Sequence, residues 1–296
     1  MNAAPGAAEI FDLGYQPYEG KRTSRWARRR AIWRDGVRIA LGLGRGASAK
    51  IAPWGLIGFA FVPAVVLVVI AAFVGSVATD TSDFELPSYA QYYQFAIVPL
   101  SLFAAVIGPL LLCPDRRFGV LSLYAARPIT PIDYIASRWV AFFTVTAMIA
   151  WLPEATLFAW NALDAQSPGT WLRENWDVVP RFLLAGTLVA GALTALSLFA
   201  ASFTTRRMYA TIGAVATLFI GSAIGGIAEE NFSGSLSGVV SLAALPHVMV
   251  DGAQWILGDE DLQRPVSPAV SALWLAGLTI GLSALLLIRS TRLMRG

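Results

Sequence analysis

The chain has 296 residues, of which 56% are hydrophobic and only 14% charged, with a net charge of +3. A soluble domain carries roughly 25% charged residues, so this composition marks an integral membrane protein and excludes a soluble enzyme of ordinary make-up. The single cysteine, Cys113, excludes an intrachain disulfide and any multi-cysteine metal site.

Residues 1–23 are small, polar and aromatic without periodicity, and read as a cytosolic tail. They lack a basic stretch followed by an apolar run, so they are not a signal peptide. Residues 24–50, SRWARRRAIWRDGVRIALGLGRGASAK, read as one amphipathic interfacial helix. Trp26, Trp33, Val37, Ala40 and Leu41 share a face, and Arg25, Arg28, Arg34, Asp35 and Arg38 lie around the rest. Trp26, Arg29, Trp33 and Arg34 are its candidate interfacial residues. Tryptophans opposite arginines suit the boundary of an anionic membrane better than a nucleic-acid partner, because a membrane span follows almost at once.

Residues 51–296 form the membrane domain. Six apolar segments are long enough to cross about 30 Å of hydrocarbon, near 54–78, 94–112, 139–160, 182–203, 209–227 and 270–288. Pro63, Pro99 and Pro109 are expected to kink the first two, which is tolerated where neighbouring helices satisfy the freed carbonyls. The stretch from Ala228 to Pro268 is the largest outer piece, and within it Ser235–Leu257, broken by Pro246, reads as one or two re-entrant or surface helices capping the fifth span.

Charge sorts with these spans. Nineteen of the 22 basic side chains fall on the side of the N-terminus, leaving only Arg173, Arg181 and Arg264 on the other, where 13 of the 19 acids lie. The positive-inside rule then places both termini in the cytosol, and an odd number of spans would destroy the sorting.

Few motifs carry chemistry. Gly14-Tyr-Gln-Pro-Tyr-Glu-Gly20-Lys21-Arg22 has one residue too many, and Arg where a Walker A loop needs Ser or Thr, so the chain holds no nucleotide motor. His247 is the only histidine and has no sequence partner for a metal site or a Cys–His dyad, and neither lysine lies in a span. Glu154 is the one acid within hydrocarbon depth. Either it faces a cavity or partner, or Pro153 ends the third span there and leaves it wet. Gly213, Thr217, Gly221 and Gly225 recur every four residues along the fifth span, as in closely packed helix pairs. They are candidates for a dimer contact or translocation path, or for packing inside one chain.

The most informative stretch runs from Cys113 to Trp139, CPDRRFGVLSLYAARPITPIDYIASRW, on the basic side between the second and third spans. Asp115–Ala126 reads as a helix with Phe118, Leu121 and Tyr124 on one face, and Arg127-Pro128 ends it. Thr130-Pro131-Ile132-Asp133 then starts the next helix with a capping box.

An interfacial helix, six spans and this charged connection together resemble the ABC-2 type of ABC transporter permease. PDRRFGVLSLYAARPITPIDYIASRW is similar to the family's acid-Arg-x-x-Gly run followed by a Thr-Pro turn, with Asp115 where Glu is usual. Leu242–Gly258 resembles the outer helices between spans five and six, and GYQPYEGKR is similar to permeases common in high-GC actinobacteria. The resemblance implies a transmembrane subunit of a bacterial plasma membrane, with no cofactor of its own. It would pair with a second permease chain, the same or related, and with two separate ATPase subunits that hold ATP and magnesium. It also implies that Asp115, Arg116, Arg117, Phe118, Gly119, Leu121 and Arg127 couple to those subunits, and that a hydrophobic or amphipathic cargo is moved, in the export direction, by alternating access. Membrane lipids are further partners and nucleic acid is not. The alternatives are a membrane-embedded lipid-modifying enzyme centred on Glu154, and a non-catalytic scaffold or immunity protein.

Overall fold

The computed structural model describes residues 24–77, 89–120, 129–231, 235–258 and 266–293. Among these residues the chain is helical without a strand. In order the helices are α1 (Arg25–Ala40), α2 (Ser48–Val77), α3 (Tyr89–Ile107), α4 (Pro109–Arg117), α5 (Pro131–Asp164), α6 (Pro168–Glu174), α7 (Val178–Ala201), α8 (Arg207–Asn231), α9 (Ser235–Ser241), α10 (Leu245–Leu257) and α11 (Pro268–Leu293). Six stretches are long and apolar enough to cross a membrane: those of α2, α3 with α4, α5, α7, α8 and α11. The architecture is that of a multi-pass membrane protein.

The spans are not equivalent. In α3–α4 and α7, 72% of the apolar window is buried inside the protein, against 17% in α2 and 22% in α8 and α11. The former, with α5, make the core. The latter turn outward side chains such as Val65, Val69 and Phe73 of α2, Ile220 and Ile224 of α8, and Leu273 and Ile280 of α11. So much exposed apolar surface suits hydrocarbon or other membrane helices and not water. At a rise of 1.5 Å per residue, the 34-residue α5 is about 51 Å long, so its ends extend well beyond a hydrocarbon layer.

Small residues set the close joints. A Cβ on Gly108 would lie 1.9 Å from the Ser197 hydroxyl, so α3 and α7 meet at a position only glycine allows. The Ser197 hydroxyl donates to the Ala104 carbonyl at 2.5 Å in the same joint. Pro109 begins α4 directly after this glycine, so the expected kink is a break between two helices. Pro63 and Pro99, by contrast, lie inside continuous helices.

The interfacial helix is shorter than its sequence suggests. α1 begins at a Ser24 cap, whose hydroxyl accepts from the Ala27 N–H, and ends at Ala40. Gly42 at φ +66 turns the chain against Ala49, where a Cβ would meet a carbonyl oxygen at 2.5 Å, and α2 starts at Ser48. The side turned toward the protein is another than the tryptophan-bearing face expected at the membrane boundary, with Ala40 common to both. Ile32, Gly36 and Ala40 are buried, whereas Trp26 is 67% exposed and Trp33 only half-buried, with its indole donating to Thr144. Close approach to α5 demands small residues on that side. A Cβ on Gly36 would lie 2.6 Å from that of Ala141.

Among the described residues two helices follow α8 before α11, and the second of them is buried in the bundle and not laid on its surface. α9 lies along α8, while α10 is set among α3, α7 and α11, with Val248, Met249, Val250, Ala253 and Gln254 buried. Gly258 at φ +88 closes α10 with a left-handed C-terminal turn.

Candidate functional site

The basic end of the bundle is held by three knots of charge, each joining helices distant in sequence. The first is on Asp133. Thr130, Pro131 and Asp133 form the expected capping box at the start of α5, with Thr130 accepting from the Asp133 N–H at 3.2 Å. The same carboxylate, 1% exposed, also accepts from Arg25 Nε at 2.8 Å and from Arg29 Nε at 2.6 Å. These hydrogen bonds hold the pKa of Arg25 above its ordinary value. Arg29 is thus committed to α5, and Arg34 is exposed on α1 beside the half-buried Trp33.

The second knot is Arg138, one turn further along α5 and 1% exposed. Its guanidinium donates to Asp35 of α1 at 2.8 Å and to Asp115 of α4 at 2.8 Å. The Tyr134 hydroxyl donates to the same Asp115 oxygen at 2.6 Å, and the guanidinium lies over the Tyr134 ring. A buried arginine between two carboxylates and an aromatic face has its charge compensated through both terminal nitrogens and the ring.

The third knot caps α7. Arg116 donates to the Ala201, Ser202 and Thr204 carbonyls at 3.2, 2.7 and 2.9 Å, and Arg289 of α11 reaches the Ser202 carbonyl at 3.2 Å. Two cations thereby meet the negative end of α7, where the Cys113 thiol also donates to the Ala201 and Thr204 carbonyls.

These knots divide the residues expected to couple to a partner. Asp115 and Arg116 face inward and are taken up within the chain. Arg117 and Phe118 face outward, with Phe118 74% exposed and the Arg117 guanidinium 5.7 Å from its ring centre. Phe118 is the C-cap of α4 and Gly119 follows at φ +66, so the expected helix Asp115–Ala126 does not run through this point. Asp115, Arg116 and Arg117 instead end a helix that begins at Pro109, and only Gly tolerates the left-handed turn that stops it. Leu121 and Arg127 lie outside the described residues.

The glycine stripe of α8 also divides. A Cβ on Gly221 would lie 2.3 Å from the Ala243 carbonyl oxygen, and one on Gly225 would lie 2.5 Å from Ala244 Cβ, so both pack on the turn between α9 and α10 of the same chain. Gly213 has open space around it and Thr217 is exposed, its hydroxyl donating to the Gly213 carbonyl. Positions four apart drift by about 40° around a helix of 3.6 residues per turn, so the ends of the stripe point different ways.

Glu154 is not at a wet helix end. α5 continues through Pro153 for a further ten residues and more, and Glu154 is 0% exposed with neither carboxylate oxygen hydrogen-bonded.

Sequence reasoning registered Arg138 only as one more positive charge and did not single out Asp35 or Tyr134. The i, i+4 spacings of Arg25 with Arg29 and of Tyr134 with Arg138 are the signals that were available. No family model matches the chain, and no curated protein matches it in sequence.

Proposed function

We propose that the chain is the membrane-spanning permease subunit of an ABC-2 type transporter, working with two separately encoded ATPase subunits and a second permease chain. The observation that carries this reading is the exposed Arg117–Phe118 pair. It stands at the basic end of the bundle, on a helix whose preceding residues are tied to α1, α5 and α7 through Asp115–Arg138 and Arg116. An apolar ring beside a guanidinium is a good anchor for a partner groove with carboxylates at its rim. Because its base is bound to three other helices, a push on this knob reaches the core spans directly.

In this reading both termini are cytosolic in a bacterial plasma membrane, and α1 rests in the headgroup region through Trp26 and its outward arginines. ATP binding on the motor subunits moves the Arg117–Phe118 turn, and α3–α4 and α8 part toward the outside. The spans carry few buried charges, which favours a hydrophobic or amphipathic cargo over an ion. The chain is not an enzyme by itself in this scheme.

The test is purification of the full chain from native membranes in mild detergent, with the co-purifying subunits identified by mass spectrometry. A Walker A-bearing ATPase is expected. With that complex in nanodiscs, Arg117→Glu and Phe118→Ala should each lower transport-coupled ATP hydrolysis about tenfold, the effect of losing ~1.4 kcal/mol of docking. Catalysis by the isolated chain, or unchanged coupling in both variants, would remove the reading.

A further inference from the structure

Glu154 belongs to none of the three knots. It lies buried on α5, which packs against both α3 and α7. From α3, Tyr89, Tyr92 and Tyr93 all lie within electrostatic reach of its carboxyl group. Tyr92 donates to the Ala60 carbonyl of α2 at 3.0 Å, and the Tyr89 hydroxyl accepts from Asn161 at 2.8 Å. The Tyr93 hydroxyl, on a residue 0% exposed, has no hydrogen-bond partner.

The α7 side of the site is apolar. The Phe182 ring lies tilted against that of Phe158, and Gly186 meets Trp151, whose indole donates to the Leu183 carbonyl at 3.0 Å. The nearest charged residue on α7, Arg181, is half-exposed and paired with Asp177 at 2.8 Å. On α5 the next acid is Asp164, exposed and ten residues on. Arg173 and Glu174 of α6 are exposed. α1 and α4 meet α5 at its other end through Asp35, Asp115, Arg138 and Asp133, and the charged residue of α11 described here, Arg289, is at that end too. Among the described residues no cation reaches Glu154.

An ionised carboxylate with no cation, no hydrogen bond and no water contact is far costlier than the neutral acid. The occupant that fits a space closed on all sides is a proton. The unpartnered Tyr93 hydroxyl is a buried acceptor open to that proton in another packing of the helices. A purely structural polar group is ordinarily hydrogen-bonded where it stands, and two buried orphans on helices packed against each other mark an arrangement that is completed in another conformation. Gly186 suits such a change, because a Cβ there would lie 2.5 Å from Trp151 and 3.3 Å from the Tyr93 hydroxyl. The contact of α7 with Trp151 of α5 and Tyr93 of α3 therefore depends on a missing side chain.

We propose that Glu154 is an occluded proton-binding site, which holds a proton while α3, α5 and α7 pack as here and exchanges it when they part. This inference does not rest on the permease reading; it concerns the chain alone.

The experiment is infrared difference spectroscopy of the full chain in nanodiscs, wild type minus Glu154→Gln, in H2O and in D2O. One carboxylic-acid C=O band absent from the variant is expected, shifting to lower wavenumber in D2O. Absence of the band means an ionised group with a bound cation, and overturns the proposal. A band that D2O never moves means a sealed structural acid, and overturns it equally. Should Glu154→Gln fail to fold, wild-type protein treated with dicyclohexylcarbodiimide, which reacts with protonated carboxyl groups in apolar surroundings, gives the same decision by peptide mapping. Modification at Glu154 about tenfold above that at the exposed Asp164 supports the site. Modification of exposed acids alone rejects it.

Discussion

Asp115 accepts from Arg138 at 2.8 Å, which makes the acid of the PDRRFG run a brace between α4 and α5. Replacing Arg138 with Met leaves a buried end of Asp115 without its cation and frees α1 at Asp35. A loss of about 3–5 kcal/mol is expected, the range found when one partner of a buried pair is removed. Asp35→Asn should cost only about 0–1 kcal/mol, because the Asp35 side chain is 56% exposed and water screens its share of the interaction. Thermal unfolding of the detergent-solubilised chain compares the two, and equal losses would contradict the assignment of Arg138 as the hub.

Arg116 and Arg117 are neighbours with opposite duties. Arg116→Glu removes donors from three carbonyls at the end of α7 and sets a carboxylate against them, for a loss of at least about 1–3 kcal/mol. Arg117→Glu, on the exposed side, should leave stability within about 0.5 kcal/mol. A stability screen of the two single variants therefore separates the brace from the docking surface before any activity is measured.

Glycine substitutions should follow the space around each Cβ. Gly108→Ala drives a methyl group into the Ser197 hydroxyl and should destabilise by about 1–3 kcal/mol through overpacking. Gly213→Ala, with open space around it in a helix, should be neutral or gain up to about 1 kcal/mol from helix propensity. Melting temperatures of the two variants in the same detergent provide the check.

Crosslinking distinguishes the two ends of the α8 stripe. In a Cys113→Ser background, Gly225→Cys combined with Ala244→Cys should form a disulfide within one chain once the turn gives by about 1 Å, since the two Cβ positions fall 2.5 Å apart and a disulfide spans roughly 3.5–4.5 Å. Gly225→Cys alone should give no covalent dimer on oxidation. A dimer band from that single variant would place this part of α8 at an interface between chains.

Much of the architecture is legible in the residues themselves. The six spans follow from runs of apolar side chains, because a helix crossing hydrocarbon must be apolar along its length whatever it packs against. The start of α5 follows from Thr130, Pro131 and Asp133, because a capping box closes through contacts three residues apart. Local rules fail where the decisive neighbour is remote. Ile32 and Gly36 on the buried side of α1 carry no local signal, since Gly36 answers to Ala141, more than a hundred positions away.

The sequence by itself determined which segments cross the membrane and which side of the protein is basic, since hydropathy and charge are sums over neighbouring residues. Only the tertiary structure decided what each charge does: that Asp115 and Arg116 brace the bundle, that Arg117 and Phe118 stand free of it, and that Glu154 is sealed among three helices. The physical reason is that a charge is spent by whichever opposite charge, carbonyl or water lies within a few ångströms, and between helices that distance is unrelated to separation along the chain.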